Sequence, residues 1–256
     1  MLFRSGDHCQ LPPTVKSDIA AKKGLNVTLF ERLVEKYEEA AVMLDTQYRM
    51  NEKIMGYSSK IFYANELKAA PSVQHHVLGE GSPELEEALE FIDTAGCGFE
   101  ENFEPESMSL RNEGEAGLVN KYLKELLSML PVPTKMNPLT IGVISPYKAQ
   151  VNLLRYKLRR DEDLKDWLPF LAIDTVDGFQ GQEKDLIFIS MVRSNEKNQI
   201  GFLSDTRRMN VGMTRARKKL VVIGDSATIS GNTFFTGMLE YMETNGRYRS
   251  GWEFVN

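Results

Sequence analysis

Cysteine and histidine are scarce in this chain of 256 residues, with two of the first and three of the second. Cys9 and Cys97 form no Cys-x-x-Cys pair, and His8, His75 and His76 lack a further ligand at a useful spacing. A disulfide framework and a familiar zinc site are therefore excluded, and no metal site is expected. The two thiols read as free side chains in a reducing compartment, cytoplasmic or nuclear. Long apolar runs are also missing. Stretches such as Leu186 to Ile189 fall far short of a membrane span, and Met1 to Gln10 carries an acid, a glycine and a histidine where a signal peptide needs apolar residues. The expectation is a soluble chain with no membrane partner. No fixed-period repeat occurs, which sets aside solenoids and propellers. Net positive charge is absent too: 31 Lys and Arg stand against 36 Asp and Glu, a balance of −5 that excludes a uniformly basic nucleic-acid binder. That deficit is local. Residues 80–115 hold 12 acids and one base, so the remainder carries a net +6 and a nucleic-acid face is still allowed.

What the chain has is a core and an alternation. Its hydrophobic content of 42% can bury a sizeable interior. Leu139 to Ser145 is a β-branched apolar run stopped by Pro146, and Tyr147 to Arg160 follows with Val151, Leu154 and Leu158 at helical spacing. Phe170 to Val176, Leu186 to Val192 and Lys219 to Ile223 read as further strands, and Asp205 to Lys218 as a helix capped by Ser204 or Asp205. Strand and helix in turn imply an α/β fold with a parallel sheet, and ligands collecting at the carboxyl ends of its strands. Residues 46–256 read as one such domain. The acidic segment 80–115 reads as an insertion or surface excursion, a solvated face carrying one short strand at Phe91 to Asp93. Residues 1–45 behave differently, with a strand stub at Met1 to Arg4, a loop at Gly6 to Pro13 and an amphipathic helix at Thr28 to Glu39. Trp167 and Trp252 read as packing residues, and Phe234 to Tyr241 as a closing helix over the sheet.

Chemistry is concentrated in a few segments. Arg207, Arg208, Arg215, Arg217, Lys218 and Lys219 put six bases and no acid into 13 residues. On a helix, Arg208 and Arg215 share nearly one face, a fork suited to polyanions, although a solvated basic face is the alternative. Gly6 to Pro13 is a stiff loop whose Gln10 amide can both donate and accept. Gln47-Tyr48-Arg49-Met50 opens a helix after the strand-like Val42 to Leu44. Ser145-Pro146-Tyr147 with Gln150 opens another, and Thr175 to Glu183 joins two strands through polar residues and glycines. Each alone is ordinary turn and cap chemistry.

Taken in this order, the segments strongly resemble the superfamily-1 nucleic-acid helicases of the nonsense-mediated-decay and senataxin group, nearest the immunoglobulin mu-binding-protein type. The matching signatures are GDHCQLPP (6–13), QYRM (47–50), SPYKAQ (145–150), TVDGFQGQEKD (175–185) and RRMNVGMTRAR (207–217), with VRSN (192–195), GFLSD (201–205) and DTAGCG (93–98) in support. The resemblance implies a RecA-like three-layer fold of the P-loop NTPase type, preceded by the last fragment of another such domain in residues 1–45. It implies ATP in the cleft between the two domains and single-stranded DNA or RNA across the top of both, moved 5′ to 3′ by a monomer. Arg49 and Arg215 then become arginine fingers, Gln10 a γ-phosphate sensor, and Tyr48 a base-stacking ring. Gly181 and Glu183 fall near the ribose and terminal phosphate. Pro12, Pro13, Ser145, Pro146, Tyr147, Thr175 and Asp177 line the strand surface.

The phosphate-cradling pattern Gly-x-x-x-x-Gly-Lys-Ser/Thr occurs nowhere in the 256 residues. By the resemblance it belongs, with the Asp-Glu pair that holds Mg²⁺, to an absent amino-terminal RecA-like domain. The chain reads as the carboxyl-terminal motor half of an ATP-dependent helicase, inactive alone. The alternative is a nucleic-acid or protein-binding module that kept a helicase half and lost the motor.

Overall fold

A computed structural model describes residues 6–12, 15, 17–25, 27–134, 136 and 138–255; the expected strand stub at Met1 to Arg4 and the site candidate Pro13 lie outside them. The chain opens with α1 (Asp18–Ala20), a π turn (Ala21–Leu25), α2 (Leu29–Lys36) and a 3-10 turn (Glu38–Ala40). Next, β1 (Thr46–Gln47) and β2 (Lys68–Ala69) pair in parallel on either side of α3 (Glu52–Phe62). After α4 (Pro83–Glu86) come β3 (Leu89–Asp93), an antiparallel hairpin of β4 (Asn102–Glu104) and β5 (Ser109–Arg111), and α5 (Glu113–Ser128). β6 (Ile141–Ser145) leads into α6 (Lys148–Arg159), and a 3-10 stretch (Glu162–Phe170) into β7 (Leu171–Thr175). β8 (Lys184–Ser190), α7 (Thr206–Met213), β9 (Ala216–Gly224), α8 (Ser226–Ile229), α9 (Thr233–Asn245) and β10 (Arg247–Ser250) complete the order.

Six strands form one sheet in the order β10-β3-β9-β8-β6-β7, with every neighbouring pair parallel. Runs that are apolar at successive positions suit such a sheet, because helices cover both of its faces. Along β8, Ile187 and Ile189 enter a core with Ile54 of α3, Met209 of α7 and Phe235 of α9. Leu186 and Phe188 point the other way, into a core with Leu123 of α5 and Leu154 of α6. This is the three-layer α/β architecture of RecA-like domains.

Several local expectations change. Thr28 caps α2 through a reciprocal capping box with Glu31, as an amphipathic helix there requires. Val42 to Leu44 is in no strand, and Val42 and Leu44 are 86% and 84% exposed. QYRM forms a turn rather than a first helical turn: Gln47 Oε1 accepts from the Arg49 and Met50 amides at 2.8 and 2.7 Å, which delays α3 to the Asn51 cap. The basic helix stops at Met213, because Ala216 must already pair with Lys184 in the sheet. Asp205 occupies its N-cap position, but its carboxylate accepts from Arg207 and Arg208 instead of the helix amides.

The acidic segment 80–115 is no mere surface excursion. It supplies β3, whose Leu89 to Ile92 are buried between β10 and β9, as well as the hairpin and the first turn of α5. Glu80, Glu86, Glu100, Glu106 and Glu113 do face solvent, but Glu90 is buried against Lys219 at 2.8 Å, and the partly exposed Glu84 meets Arg247 at 2.6 Å. Trp167 is 5% exposed, in line with packing, whereas Trp252 is 57% exposed. Both cysteines are free. Among the described residues no helix is long and apolar enough to cross a membrane.

Candidate functional site

Arg49, Arg215 and Glu183 converge at the amino ends of β8 and β9, not at the carboxyl ends where the topology first directs attention. Glu183 and Arg215 immediately precede these two strands. They arrive there because α7 and the segment after β7 both bring the chain back from the carboxyl ends. Arg215 is 2% exposed; its Nε donates to the Val211 carbonyl at 2.9 Å, Nη1 to the Gln182 carbonyl at 3.3 Å and Nη2 to Thr214 Oγ1 at 3.1 Å. Arg49 donates from Nε to Glu183 Oε2 at 2.6 Å and from Nη1 to the Thr214 carbonyl at 3.2 Å. Both guanidiniums therefore rest on Thr214.

Burial first, and then the charge of Arg49, push Arg215 down to about 10, which leaves it cationic at neutral pH; Glu183 works in the opposite direction. Arg49 pairs with Glu183, while Arg215 donates to uncharged groups, which leaves a positive surplus that a polyanion can neutralise. The expected fork of Arg208 with Arg215 is not formed, since Arg208 lies near the start of α7 and Arg215 beyond its end; Arg49 is the partner instead. Tyr48 is 73% exposed beside Arg49. Gly181 adopts φ +81° on the exposed approach to Glu183, a conformation that favours glycine.

The loop carrying Gln10 docks on the same place. Gln10 Oε1 lies 3.5 Å from Arg215 Nη2, while its Nε2 donates to Asp7 Oδ2 at 2.7 Å. Asp7 Oδ2 also accepts from Tyr63 Oη at 2.7 Å. Asn210 Nδ2 donates to the Cys9 carbonyl at 2.9 Å and to Tyr63 Oη at 3.3 Å, and Gln180 Nε2 donates to the Leu11 carbonyl at 3.3 Å. Tyr63 and Asn210 thus orient the Gln10 loop. Asn210 sits inside RRMNVGMTRAR, whereas no local pattern marks Tyr63 at the end of α3. Asp7, His8 and Cys9 offer ligand atoms within 4.8 Å of one another, but they do not suit a cation. Asp7 is taken up by Gln10 and Tyr63, and burial with the Asp7 charge pushes the Cys9 thiol up to about 11, so it keeps its proton.

At the carboxyl ends the strand-lining candidates divide. Ser145 is fully buried and Tyr147 is 3% exposed, so these two support the surface rather than line it. Ser145 Oγ accepts from the Tyr147 amide, while Tyr147 Oη accepts from the Phe202 amide at 3.3 Å and from Arg193 Nη1 at 3.4 Å. Arg193 is itself held by both oxygens of Glu101, at 2.7 and 3.0 Å. Pro12, Pro146 and Thr175 are partly exposed, and Asp177 is exposed, 3.8 Å from Arg208 Nε.

Behind this end lies a buried carboxyl. Glu115 accepts from Ser190 Oγ at 2.6 Å and from the Val192 amide at 2.9 Å, and Asn112 Nδ2 donates to the Val192 carbonyl at 3.2 Å. Val192 has φ +74°, a left-handed conformation costly for a β-branched residue, held in place by these bonds. Burial raises Glu115 to about 8, with Asp225 and Glu101 adding to the rise and the two hydrogen bonds opposing it. A carboxyl raised on folding binds its proton more tightly in the native state. Its contribution to stability is full below the ordinary carboxyl range and is lost as pH climbs through about 8. Glu115→Gln is therefore expected to flatten the decline of melting temperature between about pH 5 and pH 8. Circular-dichroism melts across that window check it, and parallel curves for the two proteins would contradict the assignment.

Comparison with known proteins bears on the whole chain. A family model described as AAA domain matches residues 25–227. The chain is 42% identical over 258 aligned positions to the DNA-binding protein SMUBP-2 of Mesocricetus auratus, which covers 98% of this chain and 25% of that protein. It is 40% identical to the DNA polymerase alpha-associated DNA helicase A of Saccharomyces cerevisiae, over 97% of this chain and 38% of that one. An uncharacterized ATP-dependent helicase of Methanocaldococcus jannaschii is 39% identical over 95% of this chain and 35% of its own length. The chain thus spans about a quarter of the length of the first of these relatives.

Proposed function

The chain belongs to the AAA-domain family, on its superfamily-1 helicase branch, and we propose that within a longer protein it is the carboxyl-terminal motor half of an ATP-dependent helicase acting on single-stranded DNA or RNA. One observation carries the reading: Arg49 and Arg215 meet on Thr214, with Gln10 at 3.5 Å from Arg215. Phosphoryl transfer to water needs positive charge around the transferring group more than it needs covalent help. Arg215, rigid and largely desolvated, supplies that charge from a fixed position. Arg49 exchanges its Glu183 partner for the terminal phosphate as the cleft closes. Gln10 presents its amide to the same phosphate, the exposed ring of Tyr48 stacks on the adenine, and Gly181 with Glu183 borders the ribose.

In the same reading, Pro12, Pro146, Thr175 and Asp177 border the strand, most of whose contacts go to phosphate and sugar. Helix α7 joins the two ends, with Arg208 near the strand and Thr214 beside the fingers. The phosphate-cradling loop and the ligands for Mg²⁺ come from the amino-terminal RecA-like partner whose tail is residues 1–45. The nearest acids of this chain do not suit the ion, because Glu183 faces Arg49 and Arg217 while Asp7 holds Gln10 and Tyr63.

The test is ATP turnover by the longer protein carrying Arg49→Gln, at saturating single strand. Arg49 is half-buried and its ion pair with Glu183 is solvent-screened, so the folded state should tolerate the change. Turnover is expected to fall at least about tenfold, since finger contacts are worth roughly 10³ to 10⁵ in rate and Arg215 remains. Unchanged turnover would overturn the reading.

A further inference from the structure

At the carboxyl ends of β6 and β8, an aromatic ring lies open to solvent. Phe202, in the 3-10 turn Gly201–Ser204, is 60% exposed, while its neighbour Tyr147 is buried. The ring is held from beneath. Its centroid lies 5.7 Å from that of Tyr147 at an interplanar angle of 53°, and its amide donates to the Tyr147 hydroxyl. The turn starts at Gly201, where φ is +53° and a side chain would collide with the Arg193 guanidinium, itself fixed by Glu101. The Arg208 guanidinium lies 5.9 Å from the Phe202 centroid.

We propose that Phe202 is a stacking platform for one unpaired nucleobase, with the planar Arg208 guanidinium as its flank. The inference rests on the strand-binding part of the proposed function and adds a specific residue to it. Base chemistry fits better than phosphate chemistry here. Arg208 is already paired with Asp205 at 3.1 Å and lies 3.8 Å from Asp177, so little of its charge is left for a further anion. An aromatic face beside a guanidinium instead matches the flat π surface that every base presents. Lys148, exposed at the start of α6 next to Tyr147, offers a cation for the neighbouring phosphate. A ring fixed by a buried scaffold needs no ordering when the base arrives, which favours binding.

The experiment compares the longer protein with its Phe202→Leu and Phe202→Trp variants by fluorescence anisotropy. The probes are oligothymidylate and an abasic oligonucleotide of equal length and charge, at two salt concentrations. Phe202→Leu is expected to weaken oligothymidylate binding about tenfold, the scale of one base on one ring, and to leave abasic binding and the salt dependence unchanged. Phe202→Trp is expected to keep the preference for bases. Equal losses on both probes, or no loss on either, would overturn the platform while leaving strand binding intact. A wild-type longer protein that binds neither probe would remove the strand-binding reading and this inference with it. A change in self-association without a change in oligonucleotide affinity would assign the ring to a protein contact and overturn the proposal.

Discussion

Replacing Arg215 with Gln in the longer protein is expected to lower strand-stimulated ATP turnover by about 10³-fold, or about 4 kcal/mol of transition-state stabilisation. The size follows from where the guanidinium sits. Its Nε and Nη1 are spent on the Val211 and Gln182 carbonyls, which fixes the plane of the group, and Nη2 points toward Thr214 and Gln10. A charge already desolvated and oriented costs no reorganisation when a phosphoryl group becomes more negative, so nearly all of its effect appears in the transition state. Gln keeps some hydrogen bonding but loses both the charge and the fork. Arg215→Lys keeps the charge without the planar donors and should recover only part of the rate. Because the side chain is 2% exposed, both variants also lose packing, and turnover should be compared well below their melting temperatures. Single-strand affinity measured in parallel is expected to hold, since Arg215 lies at the opposite end of α7 from Arg208. Wild-type turnover in a folded Arg215→Gln protein would sink the finger assignment; loss of strand affinity together with turnover would point to misfolding.

The legible part of this molecule was whatever depends on local pattern. Short apolar runs mark β3, β6, β7, β8 and β9, and helical spacing marks α6 and α9, because burial on both faces leaves an unbroken hydrophobic signature. β10, Arg-Tyr-Arg-Ser, has no apolar run and carries no such mark. The meeting of Arg49 and Arg215 was legible only through motif order, since 166 positions separate them in the chain. What local pattern could not reveal was direction. The basic cluster looks like one helical face in the sequence, yet its members part company: Arg207 and Arg208 begin α7, Arg215 follows it, and Arg217 to Lys219 run along β9. The acidic stretch misled for a related reason. Charge suggested a solvated excursion, but Leu89, Phe91 and Ile92 needed burial and drew Glu90 inside with them. Tyr63 and Asn210 matter to the Gln10 loop through contacts over 50 or more positions of chain, which no local spacing encodes.

That buried acid leads to the largest expected effect on stability. Glu90 on β3 and Lys219 on β9 are both fully buried and 2.8 Å apart, with Tyr122 Oη donating to Glu90 at 2.7 Å and Lys219 Nζ also donating to the Glu87 carbonyl at 2.9 Å. Arg249 on β10 reaches Glu90 at 3.5 Å, so one carboxylate ties three adjacent strands together. Lys219→Met removes the main cation and strands an anion in the core, a change worth about 3–5 kcal/mol. In a domain of this size that corresponds to a fall in melting temperature of roughly 10 °C. Adding Glu90→Gln removes the stranded charge, and the double variant is expected to be more stable than Lys219→Met alone by about 2 kcal/mol, a coupling that a double-mutant cycle in urea measures directly. Glu90→Gln by itself should behave differently with pH. Burial already holds the Lys219 ammonium below its ordinary value, and removal of the carboxylate lowers it further. The folded state then binds fewer protons than the unfolded chain, so the destabilisation of Glu90→Gln should shrink as pH rises toward the ordinary lysine range. If Lys219→Met cost no more than an exposed substitution, the pair would contribute nothing to holding β3 in the sheet.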